Sequence, residues 1–188
     1  MSDPIDLAHL ARRVRARAVP EGPDPTAAVA AILRDRSGPE ILFIKRADSP
    51  GDPWSGHMAF PGGRRDPGDE TLVHTARRET LEEVGLDLGA HGEILGPLDD
   101  VPTHTTGLVV RPYVWTIVGS PELIPNREVA ATEWVSLEAL LSGERDTTYT
   151  LQWKGLEHRF PAFEVETGIV WGLTYRMLHI LFETLRTG

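Results

Sequence analysis

Residues 60–86 read FPGGRRDPGDETLVHTARRETLEEVGL, a glycine turn feeding an acid-rich segment. Asp69 is placed to cap a helix, Glu70 puts a negative charge in its first turn, and Gly85 sits where a left-handed C-terminal cap belongs. The spacing therefore predicts a helix over about residues 70–84. At about 100° per residue Val73, Ala76, Thr80 and Val84 fall on one stripe, with Glu79, Glu82 and Glu83 clustered on the flank beside it. Carboxylates at these spacings repel by roughly a few tenths of a kcal/mol per pair in water, and by more where water is scarce. Something has to compensate them.

One compensation is a solvated acidic face softened by Arg77 and Arg78. The other is a magnesium site, because Mg²⁺ takes hard oxygen ligands and fills the rest of its shell from water and phosphate. Pro61-Gly62-Gly63 favours the second, since such a turn lets backbone approach an ion closely. Gly63, Glu70, Arg78-Glu79, Glu82-Glu83, Gly85 and Leu86 also follow the order of the Nudix box, and the chain resembles that superfamily, whose enzymes hydrolyse a nucleoside diphosphate linked to another moiety. Residues 64–69 put six positions between Gly63 and Glu70 where the general box has five. GGRRDPGD is similar to the longer GGxxDPxD turn of the coenzyme A pyrophosphatase branch.

The resemblance implies an α/β Nudix fold, an α/β/α sandwich around a mixed sheet. It implies Glu79, Glu82 and Glu83 as metal ligands with the Gly63 carbonyl as a fourth, and Glu70 as an outer or second-metal partner. The cofactor implied is Mg²⁺, with Mn²⁺ as the other candidate. Arg78 is expected to hold a carboxylate in place, and the general base is either Glu82 or Glu128. Arg46, Arg64 and Arg65 are candidates for contacting phosphates and Trp54 for stacking on a base. Arg65 and Trp54 have the plainer alternative of a surface cation and a loop anchor. His57 and His104 lie beside the expected site and read as structural hydrogen-bonding residues.

Further matches extend the resemblance over residues 27–186. Leu42, Arg46, Gly56 and Phe60-Pro61-Gly62-Gly63 fit the second motif of coenzyme A enzymes, although Asp52 stands where that motif has arginine. PTHTTGLVVRPYV, residues 102–114, resembles the branch's PTxSGxxVxPxV run. The implied reaction cleaves coenzyme A or a derivative to 4'-phosphopantetheine and adenosine 3',5'-bisphosphate. ADP-ribose, NADH and nucleoside triphosphates remain rival substrates, and a catalytically silent nucleotide-binding module is the rival of another class.

Composition narrows the field. A chain of 188 residues is one domain's worth, enough to bury a core without staples. It has no cysteine, which excludes disulfides, thiolate metal sites and the cysteine-dependent isopentenyl diphosphate isomerases of the same fold. The net charge of -9, with no basic run, disfavours nucleic acid as a partner. A small-molecule nucleotide is the expected one, since a cation can invert the local sign. No apolar run reaches membrane-spanning length and the N-terminus lacks a signal-peptide core, so no membrane association and a cytoplasmic location are expected. Dimerisation is common in relatives, but no feature of the sequence marks a homodimer interface.

Along the chain, residues 1–25 read as an appended helix over 5–19 and a linker at Pro20, Pro23 and Pro25, and 26–188 as the Nudix domain. Strands are expected over 27–33, 40–45, 93–98 and 107–118, the last at an edge or bulge because of Pro112. A further strand runs from 126 to 135 and a short helix from 137 to 141. A hairpin turns at Lys154-Gly155, and an amphipathic helix over 168–186 closes the chain.

Overall fold

The run AAVAAIL has no polar side chain to offer water, so the strand that contains it must be covered on both faces. The computed structural model describes residues 5–18, 25–50, 54–103 and 107–186. The expected linker at Pro20 and Pro23, the mismatch at Asp52, and His104 lie outside the described residues. In chain order, helix α1 (Leu7–Arg15) precedes strands β1 (Ala27–Asp35), β2 (Pro39–Arg46), β3 (Met58–Ala59) and β4 (Gly62–Arg64). Helices α2 (Leu72–Val84) and α3 (Leu88–His91) lead to strands β5 (Gly92–Pro97), β6 (Val101–Pro102), β7 (Val109–Ile117) and β8 (Val129–Ser136). Helix α4 (Leu137–Leu141), strands β9 (Asp146–Trp153), β10 (Leu156–Val165) and β11 (Gly168–Trp171), and helix α5 (Gly172–Arg186) complete the chain.

The main sheet is mixed. Strand β1 pairs in parallel with β7 and antiparallel with β2, and β5 and β8 extend it on either side. Successive residues of β1 face opposite layers: Ala28, Ala30 and Ile32 pack with Leu72, Ala76, Val84 and Leu88 of α2 and α3. Val29, Ala31 and Leu33 pack with α1, α4 and α5. The result is the expected helix–sheet–helix sandwich, with the smaller antiparallel sheet β9–β10–β11 attached.

One departure from a regular sheet positions the site. Strand β1 pairs with β2 only at its far end, Leu33 to Asp35. Nearer its start it pairs instead with β4, while β2 pairs with β3. The segment from β3 to β4 thus wedges between the two, anchored by Phe60 stacked on Phe43 with centroids 5.4 Å apart and by the Ala30 N–H donating to the Pro61 carbonyl. The wedge delivers Gly62 and Gly63 to the sheet directly beneath α2.

Three local expectations are corrected. Helix α2 begins at Leu72, capped by Thr71, because the Asp69 carboxylate is engaged by the side chains of Arg78 and Thr75 and the Asp66 N–H. Strand β7 is interior, so the edge alternative at Pro112 is corrected while the bulge alternative holds: pairing shifts by one residue between Pro97–Tyr113 and Val101–Val110, the proline carbonyl accepts from Leu98 N–H, and the missing N–H faces that break. Residues 168–171 are a strand paired with β10, and the closing helix starts only at Gly172. The Lys154-Gly155 turn has positive φ at both residues, 51° and 76°, the geometry that matches strand twist in a two-residue hairpin. No helix among the described residues is long and apolar enough to cross a membrane.

Candidate active site

Helix α2 buries Leu72, Ala76, Thr80 and Val84, and that stripe fixes which carboxylates turn toward the glycine wedge. Glu83 is only 4% exposed and accepts a hydrogen bond from Gly62 N–H at 2.9 Å. Glu79, one turn earlier, lies against Gly63, where an added Cβ would stand 2.5 Å from its Oε1. Glu82 points outward, with its side chain 55% exposed.

Arg78 ties these groups together. Its Nε and Nη2 grip both oxygens of Asp69, at 3.1 and 3.0 Å, and its Nη1 reaches Glu79 at 3.0 Å and Glu82 at 3.2 Å. Its Nη2 also donates to the Arg64 carbonyl. The Asp69 carboxyl is held well below the usual range, chiefly by the Arg78 hydrogen bonds, and Arg78 is correspondingly harder to deprotonate, chiefly through Asp69. Asp69 was legible only as a cap. Nothing in its spacing announces a bidentate partner nine residues along the chain.

Burial drives Glu83 up to about 8, with Glu79 and Glu128 adding to the rise and Gly62 N–H and Arg46 opposing it. Glu79 is also raised, mainly by burial, with Arg78 opposing. Among the described residues no three acidic or histidine side chains form a ready-made metal cage, since Arg78 engages Glu79 and Glu82. The donor set still fits a hard divalent cation: carboxylate oxygens on one helix edge, one buried carboxylate with high proton affinity, and main chain that approaches without a side chain. Pro61 and Arg65 bond to Ala30 and Thr26 on either side of the Ala28–Gly63 pair, so the Gly63 carbonyl, expected as a metal ligand, is turned toward β1 instead. The main-chain groups on the α2 side are those of Gly62 and Arg64.

The other expected residues are dispersed around this centre. Arg46 stands where its charge is felt by Glu83, as does that of Glu128. The Glu128 carbonyl accepts from Ala47 N–H, which pins the start of β8 beside the end of β2. Arg64 and Arg65 are exposed; Arg65 caps the turn by donating to the carbonyls of Asp69 and Glu70. Trp54 is 36% exposed. The His57 ring meets Trp171 edge to face at 5.0 Å. The Glu70 side chain is 84% exposed at the foot of the helix and reaches His74 at 4.0 Å, away from the carboxylates around Gly62.

Two predictions arise here. Gly62→Ala is expected to destabilise the fold by roughly 1–3 kcal/mol, because its Cβ would meet the Ala28 carbonyl and Val29 at φ 150°. Gly63→Ala displaces the movable end of Glu79, so it should keep the melting temperature while lowering kcat about 10- to 100-fold. Parallel melts and rates check both, and equal behaviour of the two variants would contradict the geometry. The second prediction concerns pH. The folded state holds the Glu83 proton more tightly than the unfolded chain does, so this stability is present below the ordinary glutamate range and lost as pH rises through about 8. Melts in a chelator should therefore fall between pH 5 and 9, at on the order of 1.4 kcal/mol per pH unit where the two states differ by a full proton. Adding Mg²⁺ should raise the midpoint more at the alkaline end; a flat chelator profile would contradict the buried acid.

The NUDIX domain family model matches residues 24–154. The chain is 32% identical over 149 residues to an uncharacterized Nudix hydrolase, NudL, of Yersinia pestis, covering 79% of this chain and 73% of that one. It is 38% identical over 135 residues to the uncharacterized protein C14C4.10c of Schizosaccharomyces pombe, covering 68% of this chain but 41% of the yeast protein, so it spans less than half of that relative. Among solved structures, a MutT/nudix family protein from Enterococcus faecalis has a TM-score of 0.54 at 18% identity, covering 97% of this chain and 71% of that one. A C. elegans Ap4A hydrolase binary complex has a TM-score of 0.53 at 23% identity, covering 62% and 83%. At these identities the two structures speak for the fold.

Proposed function

Because this chain belongs to the Nudix hydrolase family, we propose that it is a cytoplasmic, Mg²⁺-dependent pyrophosphohydrolase that splits coenzyme A or a derivative into 4'-phosphopantetheine and adenosine 3',5'-bisphosphate. The observation that carries the reaction class is Glu83, a carboxylate kept from water against Gly62 N–H with Glu79 beside it. Without metal the cost of burying Glu83 beside Glu79 is met by holding a proton, and a bound cation would let both carboxylates ionise in the same place. The coenzyme A reading is supported by the runs GGRRDPGD, Leu42 with Arg46, Gly56 and FPGG, and PTHTTGLVVRPYV.

Glu79, Glu82 and Glu83, with the main-chain oxygen of Gly62, would hold the ion, and Mn²⁺ would satisfy the same donors. When bound, the cation supplies Lewis acidity to the diphosphate and acidifies a water. Arg78 keeps Glu79 and Glu82 oriented. Arg46 and Arg64 offset phosphate charge at either side of the carboxylates, and Trp54 offers a ring face to the base. Glu82 or Glu128 accepts the proton of the attacking water.

The test compares coenzyme A, ADP-ribose, NADH and a nucleoside triphosphate at fixed enzyme with Mg²⁺ or chelator, identifying products by mass. Coenzyme A should turn over fastest, yield the 3',5'-bisphosphate, and stop without metal. A faster rate on another nucleotide, which the aspartate at position 52 favours, would replace the substrate assignment. No turnover of any of them would favour a silent binding module.

A further inference from the structure

The last carbonyls of a helix have no partner inside it and must find one elsewhere. At the end of α2 the Leu81 carbonyl accepts from Gly85 N–H. The next two partners come from far along the chain: the Glu83 carbonyl accepts from Asn126 N–H at 2.8 Å, and the Val84 carbonyl from Ile124 N–H at 2.8 Å. The segment that leads into β8 therefore closes the last turn of the helix that carries the carboxylates. It does so at the residue whose side chain is buried against Gly62 N–H.

Asn126 also closes a turn of its own. Its Oδ1 accepts from Glu128 N–H at 2.7 Å, the way an asparagine side chain imitates a backbone turn, and its carbonyl accepts from Val129 N–H at 3.2 Å. Of these bonds only the one to Glu128 N–H needs the asparagine side chain. The Glu128 carbonyl in turn accepts from Ala47 N–H at 2.8 Å, next to Arg46. One residue thus bonds to the main chain of both Glu83 and Glu128, two acids whose charges act on each other. The Glu128 side chain is 63% exposed, so packing does not hold it, and its place depends on the backbone that Asn126 shapes.

We propose that Asn126 is a positioning residue of the ion site: its side chain fixes the turn that holds Glu128 against the end of α2, so that Glu83 and Glu128 present their carboxylates to one cation. The assignment rests on the divalent-cation reading above and adds to it a residue that touches neither ion nor substrate. It holds whichever of Glu82 and Glu128 takes the proton, because what Asn126 sets is the separation of two negative groups. Two unrestrained carboxylates move apart, whereas a fixed turn keeps their repulsion in place until a cation relieves it. An asparagine that only stabilised the turn would show its loss in the melting temperature. One that positions Glu128 shows it in cation affinity.

The test titrates Mn²⁺ into the full chain and into Asn126→Ala and Asn126→Ser, following the free ion by electron paramagnetic resonance, with melts of each protein in chelator. Alanine keeps the main-chain bonds to Glu83 and Val129 but loses the acceptor for Glu128 N–H, and serine restores a weaker one. The Mn²⁺ dissociation constant should rise about tenfold in Asn126→Ala and return part of the way in Asn126→Ser. An unchanged constant in Asn126→Ala overturns the assignment, and so does equal weakening in the two variants. A lower melting midpoint with unchanged affinity overturns it in favour of a purely structural asparagine. Should alanine unfold the chain, Asn126→Ser must still bind Mn²⁺ more weakly than the wild type, and equal affinity overturns the proposal. Wild-type protein that binds no Mn²⁺ refutes the cation reading and this one together, whereas equal binding by all three proteins refutes only this one. Because the readout is binding, the result stands whether or not coenzyme A is the substrate.

Discussion

Glu82→Gln is expected to lower kcat by about 10²- to 10⁴-fold, the range of a lost general base, while leaving the unfolding midpoint in place. The side chain is 55% exposed and its partner is Arg78 at 3.2 Å. Glutamine preserves the volume and can still accept that hydrogen bond, so little stability is at risk. What it removes is one negative charge and one proton acceptor at the edge of the ion site. Glu128→Gln is the necessary companion, since Glu128 is the other candidate base and its charge, like that of Glu79, reaches Glu83. If Glu82→Gln turns over at nearly the wild-type rate and Glu128→Gln does not, the base is Glu128. Steady-state rates at saturating Mg²⁺, with melts of the same samples, separate these outcomes.

Arg78→Met should damage both stability and rate. The Asp69 carboxylate is 7% exposed, and Arg78 is its bidentate partner. Removing the guanidinium leaves a buried anion with only Thr75 and the Asp66 N–H, a loss of roughly 1–3 kcal/mol or more for a charged group. Glu79 and Glu82 lose their common tether at the same time, and misplaced ligands typically cost 10- to 100-fold in activity or metal affinity. Arg78→Lys tells the two effects apart. A lysine retains the charge but not the fork that spans Asp69 and the glutamates, so it should recover part of the stability and little of the rate. Full recovery of kcat in Arg78→Lys would show that the fork geometry is unimportant. The measurements are urea unfolding curves and kcat at saturating metal.

Elements with a strong local pattern are legible in the amino-acid sequence. The helix-ending Gly85, the short helix Leu137–Leu141 and the Lys154-Gly155 turn each depend on neighbours along the chain, and each lies where the residues imply. The misreadings share a cause in distant partners. Asp69 has the residue type of a cap, but a side chain nine positions away competes for it and wins. Pro112 reads as an edge or a bulge, and only the break between β5 and β6 decides for the bulge. The site divides in the same way. Three glutamates on one flank are visible in the spacing, but which is buried follows from the wedge between β1 and β2, and no periodicity reports that.

The parallel pairing of residues 27–33 with 110–116 has a bearing on how the molecule regains its shape after unfolding. The strand that flanks the glycine wedge has its parallel neighbour far along the chain, with α2, α3 and β5 between them, and contacts so remote in sequence form slowly. The Lys154-Gly155 hairpin closes locally, within microseconds. A chain diluted out of denaturant would thus sample its hairpin well before it holds a catalytic centre, and the centre would appear all at once, when the main sheet closes.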